Sequence, residues 1–250
     1  MEGRKISVSD QYYDEFDEVF DGKKLENGPY WTNGKKVFFE YHEIYGADKD
    51  TLIQYDTWAT DKKHCYYCNE RLTDADRETF IVLNYIFAKD KYNVWESGKK
   101  VKGVDAETFE VFHNKQSDIG FCKDKNHVYH FFIAELKIVK KASPRTFVSL
   151  DDGEYGFDEK SVYIGTKMLP KANPKTWRKI REDSSYSKDK YIYFLNHIIK
   201  KADLETFEVV VSEKELKYGL SKRIECGKDK NNFYYLDKII TKKEFERLVK

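Results

Sequence analysis

The sequence predicts a mainly β protein, β-rich α+β in class, built from tandem repeats of about 30 residues. Two recurring marks and the distance between them carry that prediction. The first mark is an apolar residue followed by an aromatic one just after a polar turn: Val37-Phe38, Cys65-Tyr66, Val94-Trp95, Val128-Tyr129, Val162-Tyr163, Ile192-Tyr193 and Phe233-Tyr234. The second is a six-residue pattern, Ala75-Asp76-Arg77-Glu78-Thr79-Phe80, which returns as Ala202-Asp203-Leu204-Glu205-Thr206-Phe207. From the first mark to the closing apolar residue of the second is 15 residues in five units, 19 from Val128 to Phe147, and 12 from Phe233 to Phe245. The expected architecture is a stack of about seven units in an elongated or curved array, with a closed β-propeller-like ring as the alternative.

Each unit opens as a hairpin or meander of two or three short strands. Asp90-Lys91-Tyr92-Asn93, Asp124-Lys125-Asn126 and Asp229-Lys230-Asn231-Asn232 supply Asp to bond the turn backbone and Asn for a left-handed position. A further turn is signalled by Ser97-Gly98. The second mark then starts a capped helical turn. Its second position is Asp48, Asp76, Asp105, Ser143, Asn173, Asp203 or Thr241, all good N-caps, and Pro144 and Pro174 follow two of them. The residue before each cap and the one four after it are apolar, the spacing of a hydrophobic staple. A third apolar residue three further on, such as Leu83 or Ile180, favours about two helical turns. Runs such as Phe207-Glu208-Val209-Val210-Val211 leave an immediate strand open.

Residues 1–32 read as an acidic N-terminal capping segment and 33–250 as the array, closed by a shortened copy with the basic tail Lys242 to Lys250. In the first segment Tyr12, Phe16, Val19 and Phe20 have helical spacing, whereas Asp21-Gly22 signals a hairpin. The chain is 40% apolar, 36% charged and 16% aromatic, which predicts thin aromatic layers under a charged skin. Residues 1–60 hold 13 acidic and 7 basic residues, so the net charge of +1 conceals a negative start and a positive remainder. No block of Arg and Lys is dense enough for a nucleic-acid footprint. No segment approaches a membrane span, and Met1 to Asp10 has no apolar core of signal-peptide length, so a cytoplasmic protein with reduced thiols is expected.

Candidate chemistry is sparse. Cys65-Tyr66-Tyr67-Cys68 has the gap of a zinc knuckle or redox dithiol, but no second ligand pair accompanies it, and Cys65 stands where other units have valine. His42, His64, His113, His127, His130 and His197 lack helical metal-binding spacing, and no nucleophile elbow or glycine-rich phosphate loop appears. Neither a catalytic nor a metal or cofactor site is expected, so the chain reads as non-enzymatic. Tyr66, Trp95, Tyr129, Tyr163 and Tyr193 share one repeat register beside an apolar neighbour on the opposite face. Stacking inside the repeat is the favoured reading, and a partner-binding aromatic face is the alternative. The acidic residues Asp10, Asp14, Glu15, Asp17 and Glu18 complete the candidate partner-binding set.

Asp-Lys-Asn followed by apolar and tyrosine residues, repeated together with Ala-Asp-x-x-Thr-Phe, resembles the bacterial DKNYY repeat family. The likeness covers roughly residues 33–250 and departs from the pattern at Lys62-Lys63 and at Asp158-Glu159-Lys160. It implies a repeat protein without established activity and brings no catalytic residues. Proteins that look like this family sit in the company of secreted toxins and their antidotes. The expectation is therefore a protein-binding scaffold, in its preferred form an immunity protein that neutralises a toxin. A structural or cell-envelope interaction module and a small-ligand binder with an aromatic face are the alternatives.

Overall fold

The computed structural model describes residues 3–5, 7–8, 28–112, 117–133, 135–215 and 221–250. Among them the chain forms seven small sheets and one helix. Most strands are only two or three residues long, too short to be stable as isolated hairpins. Burial on both faces of each sheet supplies what pairing alone cannot.

Two compact units divide the chain, Met1–Ile138 and Val139–Lys250. In the first, sheet 1 comprises Ser7–Val8, Tyr30–Thr32, Val37–Phe39 and His42–Glu43. Sheet 2 is Arg4–Lys5, Ile53–Tyr55, Trp58–Thr60, Cys65–Tyr67 and Glu70–Arg71. Sheet 3 is Ile81–Val82, Phe87–Lys89, Val94–Glu96 and Lys99–Val101, and sheet 4 is Glu110–Val111, Ile119–Lys123, Val128–Phe132 and Leu136–Ile138. In the second unit, sheet 5 is Val148–Ser149, Tyr155–Phe157, Val162–Ile164 and Lys167–Met168. Sheet 6 is Arg178–Lys179, Tyr186–Lys188, Ile192–Phe194 and His197–Ile198. Sheet 7 is Glu208–Glu215, Ser221–Lys228, Phe233–Tyr235 and Lys238–Ile240, followed by helix α1 (Lys242–Val249). The described pairings are antiparallel except that of Ser7–Val8, which runs parallel to Tyr30–Thr32. Tyr30–Thr32 belongs to sheet 1, so a boundary at residue 32 cuts through a sheet. The expected acidic cap at Asp10, Asp14, Glu15, Asp17 and Glu18, with the helix and hairpin signals around it, lies outside the described residues.

The sequence led to an expectation of two helical turns after each cap, and the structure differs. A single turn closes, for example by the Thr79 N–H donating to the Asp76 carbonyl at 3.3 Å, and strand Ile81–Val82 begins directly after the staple residue Phe80. The sheets thus hold four strands, or five in sheet 2, in place of two or three, and in sheets 2 to 7 the chain past the staple pairs with the following hairpin. After Thr241 the turn continues instead as the eight-residue helix α1.

Neighbouring sheets within a unit share a core. Tyr30 and Val37 of sheet 1 meet Ala59 and Tyr66 of sheet 2, whose other face carries Trp58 and Cys65 against Ala88 and Trp95 of sheet 3. Phe87 and Val94 of sheet 3 meet Cys122 and Tyr129 of sheet 4. In the second unit Tyr155 and Val162 meet Tyr193, and Tyr186 and Ile192 meet Tyr234. Phe245 of α1 packs against Ile224 and Cys226 of sheet 7. Burying a ring such as Phe109, 1% exposed, contributes about 1.5–3 kcal/mol.

Candidate functional site

The recurring polar residues come together at one place per repeat, where the capped turn leading into a sheet meets that sheet's central hairpin. At the fourth sheet Asp124 Oδ1 accepts from the N–H groups of Asn126 at 2.8 Å and His127 at 2.7 Å, which shapes the hairpin turn. Its Oδ2 accepts from the N–H of the cap residue Asp105 at 2.9 Å and from the hydroxyl of Tyr129 at 2.9 Å. Thr108 Oγ1 accepts from the Lys125 N–H, and the Lys125 ammonium sits 2.7 Å from Asp105. One carboxylate therefore ties the turn, the cap and the register tyrosine together.

The same joint is made by Asp61 with Asp48 and Tyr66, by Asp158 with Ser143 and Tyr163, by Asp189 with Asn173 and Tyr193, and by Asp229 with Asp203 and Tyr234. Asp90 ties Asp76, while Trp95 takes the tyrosine's place. Lys62, Lys91 and Lys230 pair with Asp48, Asp76 and Asp203 as Lys125 pairs with Asp105. The departure at Asp158-Glu159-Lys160 falls where the cap is Ser143, which has no carboxylate for a lysine to meet. At the two ends the joint is replaced. Asn33 Oδ1 shapes the first hairpin by accepting from Lys35 and Lys36, and the N-cap Thr241 receives Glu244 of its own helix in place of a following hairpin aspartate.

Burial pushes the Asp124 carboxyl up, but the donors of Asp105, His127, Asn126 and Tyr129 outweigh it and hold the group below the usual carboxylate range. Asp61, Asp158 and Asp229 follow the same balance. Burial also raises the register tyrosines, Tyr163 to about 12. Asp61, Asp124, Asp158 and Asp229 are thus charged acceptors and the tyrosines that meet them neutral donors, an arrangement that holds structure.

Tyr66, Trp95, Tyr129, Tyr163 and Tyr193 are all buried, at most 4% exposed. The partner-binding alternative for this register is corrected by that burial. The apolar neighbour does point to the opposite face, yet it is buried as well, as with Val94 beside Trp95, which packs against sheet 4. Cys65 packs in the core of sheets 2 and 3, with burial raising its thiol to about 12, and Cys68 sits in a turn at φ +50°. Burial likewise lifts Cys68 to about 11, and all four cysteines are free thiols. Neither residue of the pair is activated as a thiolate.

The surface aromatics lie elsewhere. In the first unit Tyr41, Tyr45 and Tyr92 are exposed at turns, and Phe132 and Ile133 stand together, 52% and 64% exposed, at the end of the hairpin Ile119–Lys123 and Val128–Phe132. These two strands have five residues where their counterparts mostly have three, which locates the four-residue excess between Val128 and Phe147. Ile133 has φ +44°, a left-handed backbone that a β-branched residue rarely adopts. The sequence carried the signal as an insertion, but not the residues it would expose.

No curated protein and no solved structure matches the chain. Residues 58–194, more than half of it, match the DKNYY family. That span holds four of the joints complete from cap to hairpin, two of them with the lysine pair, and the chain belongs to the DKNYY family.

Proposed function

We propose that the chain is a non-enzymatic, protein-binding repeat scaffold acting in the cytoplasm, and that its partner is a toxin domain it neutralises as an immunity protein. The observation that carries the binding reading is the Phe132-Ile133 pair. An insertion in one repeat places two large apolar side chains, 52% and 64% exposed, at a hairpin end. The left-handed turn itself recurs in the other repeats, at Cys68, Ser97 and Leu195, so the exposure of the two apolar side chains is what supports a contact surface. The toxin identity draws its support from the family's company and from the negative charge of residues 1–60, which suits a basic partner.

The test is capture of the products of genes adjacent to its own by the tagged chain at moderate salt. A stable one-to-one complex that weakens at least about tenfold, or 1.4 kcal/mol, in the Phe132→Ser, Ile133→Ser double variant is the expected result. Failure of every neighbouring product to bind would remove the immunity reading. Wild-type affinity in the folded double variant would remove the surface.

A further inference from the structure

Lys89 precedes the joint aspartate Asp90 and lies opposite Ile81 in sheet 3. Its ammonium reaches forward to the chain leading into sheet 4, donating to the main-chain carbonyls of Phe109 at 2.7 Å and Glu107 at 3.1 Å. One repeat earlier the same position is Thr60, which precedes Asp61 and lies opposite Ile53 in sheet 2. The register counterparts of the two acceptors are the carbonyls of Phe80 and Glu78.

Where a lysine at position 60 would run, the structure has an open cleft of about 170 Å³ lined by Tyr55, Thr60, Phe80, Ile81 and Val82. Thr60 is 2% exposed, and its hydroxyl has no hydrogen-bond partner. A buried hydroxyl without a partner is costly, and the residue that carries this one borders the cleft. Ile81 is 54% exposed beside it. Aromatic rings such as those of Tyr55 and Phe80 favour a cation. The unit carrying the cleft, residues 1–138, has 26 acidic and 20 basic side chains.

We propose that this cleft receives a lysine side chain from a bound protein partner, the ammonium donating to Thr60 Oγ1 and to the carbonyls of Glu78 and Phe80 as Lys89 does one repeat later. The source of the lysine rests on the protein-binding reading, and the chemistry of the cleft does not. The probe is Nα-acetyl-lysine methylamide, titrated into the methyl-labelled full chain and followed by NMR, with the norleucine analogue as its uncharged control. Saturable shifts at Thr60, Ile81 and Val82, at least tenfold weaker for norleucine, are expected. In Thr60→Lys the chain's own ammonium fills the cleft, so the melting temperature rises and the probe shifts vanish.

Equal binding of norleucine, no shifts at these methyls, or unchanged shifts in folded Thr60→Lys would each overturn the proposal. Should Thr60→Lys not fold, Ile81→Trp closes the mouth from its exposed position and must abolish the shifts. Intact probe shifts alongside failed capture of every neighbouring gene product would count against the scaffold reading alone.

Discussion

Asp124 accepts four hydrogen bonds while only 2% exposed, and that combination decides what its titration does. The folded carboxyl is more acidic than its unfolded counterpart, so the unfolded chain binds more protons and stability rises with pH. The contribution is complete above the unfolded value of about 4 and is lost as pH falls through the folded one. Asp61, Asp158 and Asp229 act in the same window, so the melting temperature should hold down to about pH 5 and fall steeply below 4. A flat profile down to pH 2 would contradict the joint. Asp124→Asn should cost about 1–3 kcal/mol in urea unfolding, since the donors of Asp105 and Tyr129 then meet an amide. Lys125→Ala, which removes only the surface pair with Asp105, should have a far smaller effect. At Ile133 the sign reverses: Ile133→Gly should stabilise the chain by about 1 kcal/mol by relieving the left-handed strain, while weakening partner binding.

At the scale of the sheet, the residue two before each joint aspartate is small: Ala59, Ala88, Cys122, Gly156, Ser187 and Gly227. Each is paired across the strands with the register aromatic, and the staple side chain needs the space above it. A Cβ on Gly156 would lie 2.4 Å from the Phe147 ring and 3.0 Å from the Val148 carbonyl, and one on Gly227 would lie 2.4 Å from Phe207. Trp177 donates from its indole to Ser187 Oγ at 3.0 Å at the same position. Gly156→Ala should therefore lower stability by about 1–3 kcal/mol in denaturant titration, although alanine is the better strand residue. In α1 the capping box of Thr241 and Glu244 closes the last copy, and Thr241→Ala should cost about 1 kcal/mol.

Within each compact unit each sheet depends on its neighbours, because strands of two or three residues have little stability of their own. Hydrogen exchange should follow that dependence within each unit. The paired central strands, such as Trp58–Thr60 with Cys65–Tyr67 or Tyr186–Lys188 with Ile192–Phe194, should exchange slowest, and outer strands such as Glu70–Arg71 and His197–Ile198 fastest. Uniform exchange across central and outer strands would contradict a stack held together through its faces.

The repeat, its caps and its hairpin turns were legible in the sequence because local chemistry fixes them: an N-cap needs an oxygen, a tight turn needs Asp or Asn, and a staple needs two apolar residues at fixed spacing. The meaning of the small residue two before Asp90 or Asp158 depends on which ring lies above it, which no local rule supplies. Tertiary structure alone decided that the Tyr66 and Cys65 faces are both interior, since a strand's alternation shows that its faces differ and not whether a second sheet covers each. It also decided that the two motifs form one joint. The bond from Asp124 to the Asp105 N–H spans 19 residues, and no local rule pairs a hairpin aspartate with a distant cap.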